Sequence, residues 1–195
     1  MENKSKPEWR FDIIISICAM LVSMGTFATF LYQTKIIQED SKASVYPHLE
    51  IVRKYNNEKE PFIIYVKNVG IGPAFLKKME IRYKGKTYSS DDVNLSGSCL
   101  PFSFLRQILP PDKLPYVGNG PILPIVIPAG ESEMFIRLND KDEKSIPMMV
   151  EIFDNTKIKV CYSSVYKDYW TVEKYKQPIE CKNCENQDLF KPTKK

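Results

Sequence analysis

Cys181-Lys182-Asn183-Cys184 carries two thiols at the two-residue spacing used by dithiol redox centres and by zinc sites. A structural zinc needs four Cys or His ligands. The remaining candidates, Cys99, Cys161 and the lone His48, supply no second matching pair. A dithiol centre of the thioredoxin kind opens a helix after a strand, whereas Cys181 and Cys184 lie in a polar segment near the end of the chain. The readings left open are free thiols in reducing surroundings, a disulfide tethering the tail in oxidising ones, and a redox pair. Cys161, inside an apolar strand, reads as a small buried residue.

Hydrolytic chemistry has less to work with. Any Ser-His-Asp or Cys-His arrangement would have to use His48, which follows Pro47 and has no nucleophile-elbow sequence to accompany it. Asp91-Asp92 sits in turn-like sequence, where a solvated loop explains two adjacent acids. The expectation is a protein that is not an enzyme, with no cofactor and no metal. The net charge of +4 comes from 28 basic and 24 acidic residues spread along the chain. Without a dense basic block or a basic motif interleaved with aromatics, nucleic acid is not an expected partner.

Two further groups of residues invite a functional reading. Tyr162, Tyr166, Tyr169 and Trp170 crowd around Lys167, and large amphipathic rings are what interfaces and ligand pockets favour; core packing is the competing explanation. Asn68, Gly70, Gly72 and Pro73 combine a side chain that bonds its own backbone, residues free to take positive φ and a residue that ends strand pairing. That combination lets a strand leave one sheet for another. A phosphate cradle would need a helix to follow, and "AFLKKMEIRY" reads as a strand.

The element that places all of these is near the start. From Ile13 to Tyr32 twenty residues carry no formal charge, and a helix of that length spans the roughly 30 Å hydrocarbon core of a bilayer at about 1.5 Å per residue. Trp9 and Tyr32 flank the stretch where amphipathic rings favour the headgroup level. A cleaved signal peptide is the competitor, with a basic start at Lys4, Lys6 and Arg10 and a small-residue site at Thr26-Phe27-Ala28. Its apolar region usually runs to only about 7–15 residues, and here helix-compatible sequence continues to Ala43. A lipoprotein site fails because Ile17 precedes Cys18. Ser16, Ala19, Ser23 and Thr26 recur at three and four, on one helical face, where small side chains permit close approach of a second membrane helix. The basic residues before the helix outnumber those just after it, Lys35 and Lys42, which leans toward an external position for the rest of the chain.

Beyond the anchor, Pro47 is expected to stop a polar helical stalk. "HLEIVRKY" (His48 to Tyr55), "PFIIYVKNVG" (Pro61 to Gly70), "AFLKKMEIRY" (Ala74 to Tyr83), "KTYS", "ESEMFIRL" (Glu131 to Leu138), "KIKVCYSSVY" and "YWTVEKY" read as strands rich in β-branched and aromatic residues. Lys84-Gly85 signals a hairpin. The stretch from Ser89 to Pro128 holds seven prolines and leaves room only for a short helix over Pro101 to Leu109. Ile146, Met149 and Phe153, spaced by three and four with Pro147 in the first turn, predict another.

The resulting expectation is a mainly β protein. An N-terminal tail (1–10), a transmembrane helix (11–32) and a helical stalk (33–46) precede an immunoglobulin-like β-sandwich (47–176) with a short helix and a long Pro/Gly-rich insertion. A polar, frayed tail (177–195) follows. "VKNVGIGPA" (Val66 to Ala74) resembles the Asn-x-Gly-x-Gly-Pro-Ala strand end of many bacterial immunoglobulin-like modules. "KVCYSSVYKDYW" (Lys159 to Trp170) is similar to the paired strands near the end of uncharacterised bacterial single-pass membrane proteins built as one helix plus such a domain. The resemblance implies architecture and carries no activity.

The functional expectation is a binding or assembly module tethered in a cell (inner) membrane. Its partners would be the lipid bilayer and either a protein or a second copy met through the membrane helix. Two alternatives stand beside it. One is an effector or sensor whose β domain binds a small ligand and drives the helices to cluster; the other is a thiol redox protein using Cys181 and Cys184.

Overall fold

The uncharged run and its polar continuation form one uninterrupted helix, α1 (Trp9–Ala43, 35 residues). No proline interrupts it, and Gly25 is its sole glycine. At about 1.5 Å per residue it is roughly 50 Å long, and it is long and apolar enough to cross a membrane. Its side chains from residue 11 to residue 40 are exposed on every side. Four hydroxyls turn back onto the helix: Ser16 donates to Asp12 O (2.7 Å), Thr26 to Val22 O (2.8 Å), Thr29 to Gly25 O (2.8 Å) and Thr34 to Phe30 O (2.9 Å). Each thereby takes a backbone acceptor one turn earlier. The helix ends at Ala43, four residues before Pro47, so the expected stalk is shorter than its 33–46 span.

The computed structural model describes residues 9–55, 62–92, 99–111, 120–138, 146–184 and 188–190 and divides into two compact units, Met1–Ala43 and Ser44–Lys195. The second unit is mostly antiparallel sheet. Its elements are β1 (Leu49–Lys54), β2 (Ile63–Asn68), β3 (Ala74–Tyr83), β4 (Lys86–Ser89), α2 (Leu100–Ile108), β5 (Ile125–Ile127), β6 (Ser132–Arg137), α3 (Ile146–Asp154), β7 (Thr156–Ser163), β8 (Tyr169–Glu173) and β9 (Ile179–Cys181). One sheet has the order β1-β2-β6. The other runs β4-β3-β7-β8-β9, and β5 also pairs with β3.

Local chemistry accounts for these boundaries. The β3–β4 hairpin turns on Lys84 (φ 47°) and Gly85 (φ 82°), the paired positive φ values that suit the twist of the flanking strands. β4 pairs with residues 80–83 of β3 and β5 with residues 74–76, so two short strands share one edge. α2 opens with Pro101 in its first turn, where the missing N–H costs nothing, and Pro110 and Pro111 follow its end.

Along β3 and β7, alternate residues face inward. Met79 lies opposite Val160 and Ile81 opposite Ile158. They join Leu49, Ile51, Ile64 and Val66 of the other sheet, together with Phe104 and Leu105 of α2 and Met149 and Phe153 of α3, in one buried cluster. A fully buried side chain such as Phe62, at 0% exposure, stabilises the fold by about 2 kcal/mol.

The expected strands from His48 to Tyr175 and both short helices are present; β3 and β4 match at both ends, and most of the others differ by one to a few residues. Two elements were not anticipated. β5 lies within the proline-rich stretch, and β9 lies where a frayed tail was expected; residues 188–190 also carry buried and half-buried side chains. Parts of the insertion, residues 93–98 and 112–119, lie outside the described residues.

Candidate functional site

The five residues expected to form an aromatic binding surface are distributed over two faces and a turn. Tyr162 is a core residue at 0% exposure. This agrees with core packing, the competing explanation, because β7 turns it inward to stack on Trp170 at 5.8 Å and its hydroxyl oxygen accepts the Leu49 N–H (3.4 Å). Burial raises the pKa of that phenol well above its ordinary value. Trp170 is half-buried and meets the Tyr46 ring edge-on at 5.2 Å. Tyr169, next along β8, points to the opposite face and packs beside the cysteines. Tyr166 and Lys167 alone stay exposed, in the β7–β8 turn.

Asn68 is buried at the end of β2 and ties three segments together. Its amide Nδ2 donates to Gly72 O (2.8 Å) and Ile127 O (3.0 Å), and its Oδ1 accepts from His48 N (3.2 Å) and Gly70 N (3.0 Å). The chain passes here from β2 in one sheet to β3 in the other. Residues 45–48 press against the turn, with Ile71 N–H donating to Tyr46 O (3.1 Å). Every polar atom of Asn68 has a partner within the fold, and Pro73 leads directly into β3. Ser16, Ala19, Ser23 and Thr26 are exposed on α1.

The richest polar arrangement lies on the outer face of the larger sheet. Lys78, Glu80 and Arg82 alternate with inward-facing Met79 and Ile81 on β3, and Glu80 stands opposite Lys159 of β7. Lys78 and Glu80 are buried, at 7% and 3% exposure. Lys78 Nζ meets Glu80 Oε1 at 3.2 Å and Asp91 Oδ2 at 2.8 Å.

The cover over this face is a strap formed by Asp188, Leu189 and Phe190. Leu189 N–H donates to Glu80 Oε2 (2.8 Å) and Lys159 Nζ donates to Leu189 O (2.6 Å). Arg82 reaches Asp188 at 3.5 Å and lies over the Phe190 ring at 4.2 Å. Burial raises the Glu80 pKa against the opposing pull of the Leu189 N–H and Lys78. Burial alone would lower Lys78, but its bonds to Asp91 and Glu80 outweigh that and hold it above the ordinary lysine value.

Beside the strap the cysteines gather. Cys161 of β7 and Cys184 form a disulfide with Cα atoms 5.6 Å apart. This corrects the pairing of Cys184 with Cys181: β7 turns Cys161 onto the outer face, where the chain after β9 brings Cys184 to it. Cys181 keeps its thiol, with Sγ 3.8 Å from Cys161 Sγ and donating to Asn183 O at 3.6 Å. Burial and the neighbouring Glu180 raise the Cys181 pKa, against Lys159, which lowers it. Cys161, Cys184 and Leu189 form a buried cluster of their own, with Tyr169 and Cys181 packed against it.

Sequence reasoning missed Lys78, Glu80, Arg82 and Lys159. The period-two alternation of charge along β3 was the available signal, and its complement was the single apolar pair, Leu189-Phe190, in a polar tail.

Two other features stand apart. Lys174 is buried, donates from Nζ to Phe153 O and lies over the Phe153 ring at 4.2 Å. Burial lowers its pKa, and Asp154 partly opposes this. An open groove of about 400 Å³ runs along β1 past His48, Glu50 and Arg53 to Tyr175 and Gln177, and the apolar core holds a cavity of about 30 Å³. Among the described residues no group of three or more His, Cys, Asp or Glu is placed to hold a metal ion. No protein-family model, curated protein or solved structure matches this chain.

Proposed function

We propose that the chain is a single-pass protein of a cell membrane whose β unit is an external, non-enzymatic module for binding or assembly. The observation that carries this reading is α1: twenty consecutive uncharged residues, from Ile13 to Tyr32, are exposed all around the helix. An apolar surface of that extent is unfavourable in water and favourable in hydrocarbon. The β unit closes a core of its own, built without residues of α1.

Two features support the finer assignment. The partition β1-β2-β6 against β4-β3-β7-β8-β9 is like that of strands A, B and E against C′, C, F and G in an immunoglobulin-like sandwich, with β9 and the β5 pairing to β3 as additions. The Cys161–Cys184 disulfide favours an oxidising compartment and hence an external side. The mechanism is tethering. Confinement to a membrane raises the effective concentration of a protein partner met by the β unit, and the face of Ser16, Ala19, Ser23 and Thr26 allows a second helix to approach.

Alkaline carbonate extraction of membranes from cells expressing the full chain, with a topology reporter fused after Lys195, tests the reading. Retention in the membrane with the reporter outside is the expected result. Release into the soluble fraction, or a mature form beginning near Thr29, would remove it.

A further inference from the structure

The Cys161–Cys184 bond holds the chain beside the strap, and a third sulfur stands next to it. Cys161 is fixed in β7, the strand central to its sheet, whereas Cys181 and Cys184 flank a two-residue link. The Cys181 sulfur is 3.8 Å from that of Cys161, which is van der Waals contact. A thiol so placed meets the requirement for disulfide exchange, a thiolate within reach of a bonded sulfur.

We propose that Cys161, Cys181 and Cys184 form an exchange site in which the Cys181 thiolate attacks Cys161 Sγ and Cys184 leaves as the thiolate. One S–S bond forms as one breaks, the electrons stay within the three sulfurs, and the proton lost by Cys181 is balanced by one taken up at Cys184. No external oxidant or reductant takes part. The new Cys161–Cys181 bond staples β9 to β7 and releases Cys184. The strap of Asp188, Leu189 and Phe190 is then held by non-covalent contacts, to Glu80, Arg82 and Lys159 and through the packing of Leu189. The site thus converts a covalently fastened cover into a non-covalent one, and it presents Cys184 as the thiol that attacks a partner's disulfide, the partner's second sulfur leaving as a thiolate. Because burial raises the Cys181 pKa, exchange is slow near neutral pH and accelerates about tenfold per pH unit until the thiol titrates.

Peptide mapping of the full-length protein in detergent, digested without reduction, tests this. Cys184→Ser protein purified under oxidising conditions is expected to contain a Cys161–Cys181 bond. Wild-type protein held with iodoacetamide between pH 7 and pH 9 is expected to acquire label on Cys184 together with the Cys161–Cys181 linkage, at least tenfold more than Cys181→Ser protein. Label confined to Cys181 with Cys161–Cys184 intact overturns the proposal. So does equal labelling of Cys184 in Cys181→Ser, and so do unbonded Cys161 and Cys181 in a folded Cys184→Ser variant.

Discussion

At Gly72 a methyl group would stand 1.9 Å from Val45 O, and at Gly70 one would stand 2.4 Å from His48 N. Both obstacles are backbone, so neither can swing aside. Gly72→Ala must push residues 45–48 away from the turn and break the His48 N–H bond to Asn68 together with the bonds from Ile71 and Gly72 to Tyr46 O. A loss of about 3 kcal/mol is expected, since several buried polar groups lose partners at once. Gly25→Ala, where the new atom meets nothing within 4 Å and alanine favours the helix, serves as the control that should lose no stability, and urea midpoints of the full chain in detergent check both. Lys174 offers a pH test. Its folded pKa lies below the ordinary 10.5, so between those two values the folded chain holds fewer protons than the unfolded one, and stability rises with pH across that window. Lys78 is shifted the other way, and its contribution, present below the ordinary value, is lost as pH rises through the raised one. Subtracting Lys174→Met from wild type isolates the first effect. The wild type should gain on the variant as pH rises toward 10.5, and a flat or reversed difference in midpoint would remove the burial account.

Among the elements, the strap is the one that the strand pattern does not explain. Leu189 is 4% exposed in a cluster with the Cys161–Cys184 bond, and Leu189→Ala should cost about 2–3 kcal/mol through lost burial and the cavity left behind. Thermal melting in detergent reads this directly, and a change under about 0.5 kcal/mol, the scale of surface substitutions, would mean that the strap does not hold. Its invisibility in the sequence has a physical cause. The partner of the Leu189 N–H is Glu80, 109 positions away, and local pattern carries no information about such a pairing. β9, three residues long with its first two exposed, has no alternation to detect. The Cys161–Cys184 connectivity was equally out of reach, because spacing does not choose among cysteines. β3, by contrast, matches the expected Ala74–Tyr83 at both ends, because a turn cluster precedes it and Lys84-Gly85 follows. α3 was legible from Ile146, Met149 and Phe153, the last two of which lie in the core. The aromatic set left binding and core packing both open because composition cannot tell an inward ring from an outward one: adjacent positions on β8 put Tyr169 and Trp170 on opposite faces.

For the whole molecule the proposed single crossing makes a prediction about α1. Met20 lies within the uncharged run, and an arginine there costs about 3 kcal/mol at the middle of a spanning helix. Met20→Arg should shift a measurable share of the chain from the carbonate-resistant fraction into the soluble one, whereas Ile37→Arg, beyond the run, should not. The hydroxyls of Ser16, Thr26 and Thr29, each bonded to a carbonyl of its own helix, bear on what happens after insertion. A solitary copy carries those groups into oil already satisfied, so they create no hunger for a neighbour. Companionship between two such helices would then rest mainly on shape, with Ser23 as the one hydroxyl of the face shared with Ser16 and Thr26 that is not turned back on its own helix, and so follow local crowding like a rheostat rather than lock like a rivet.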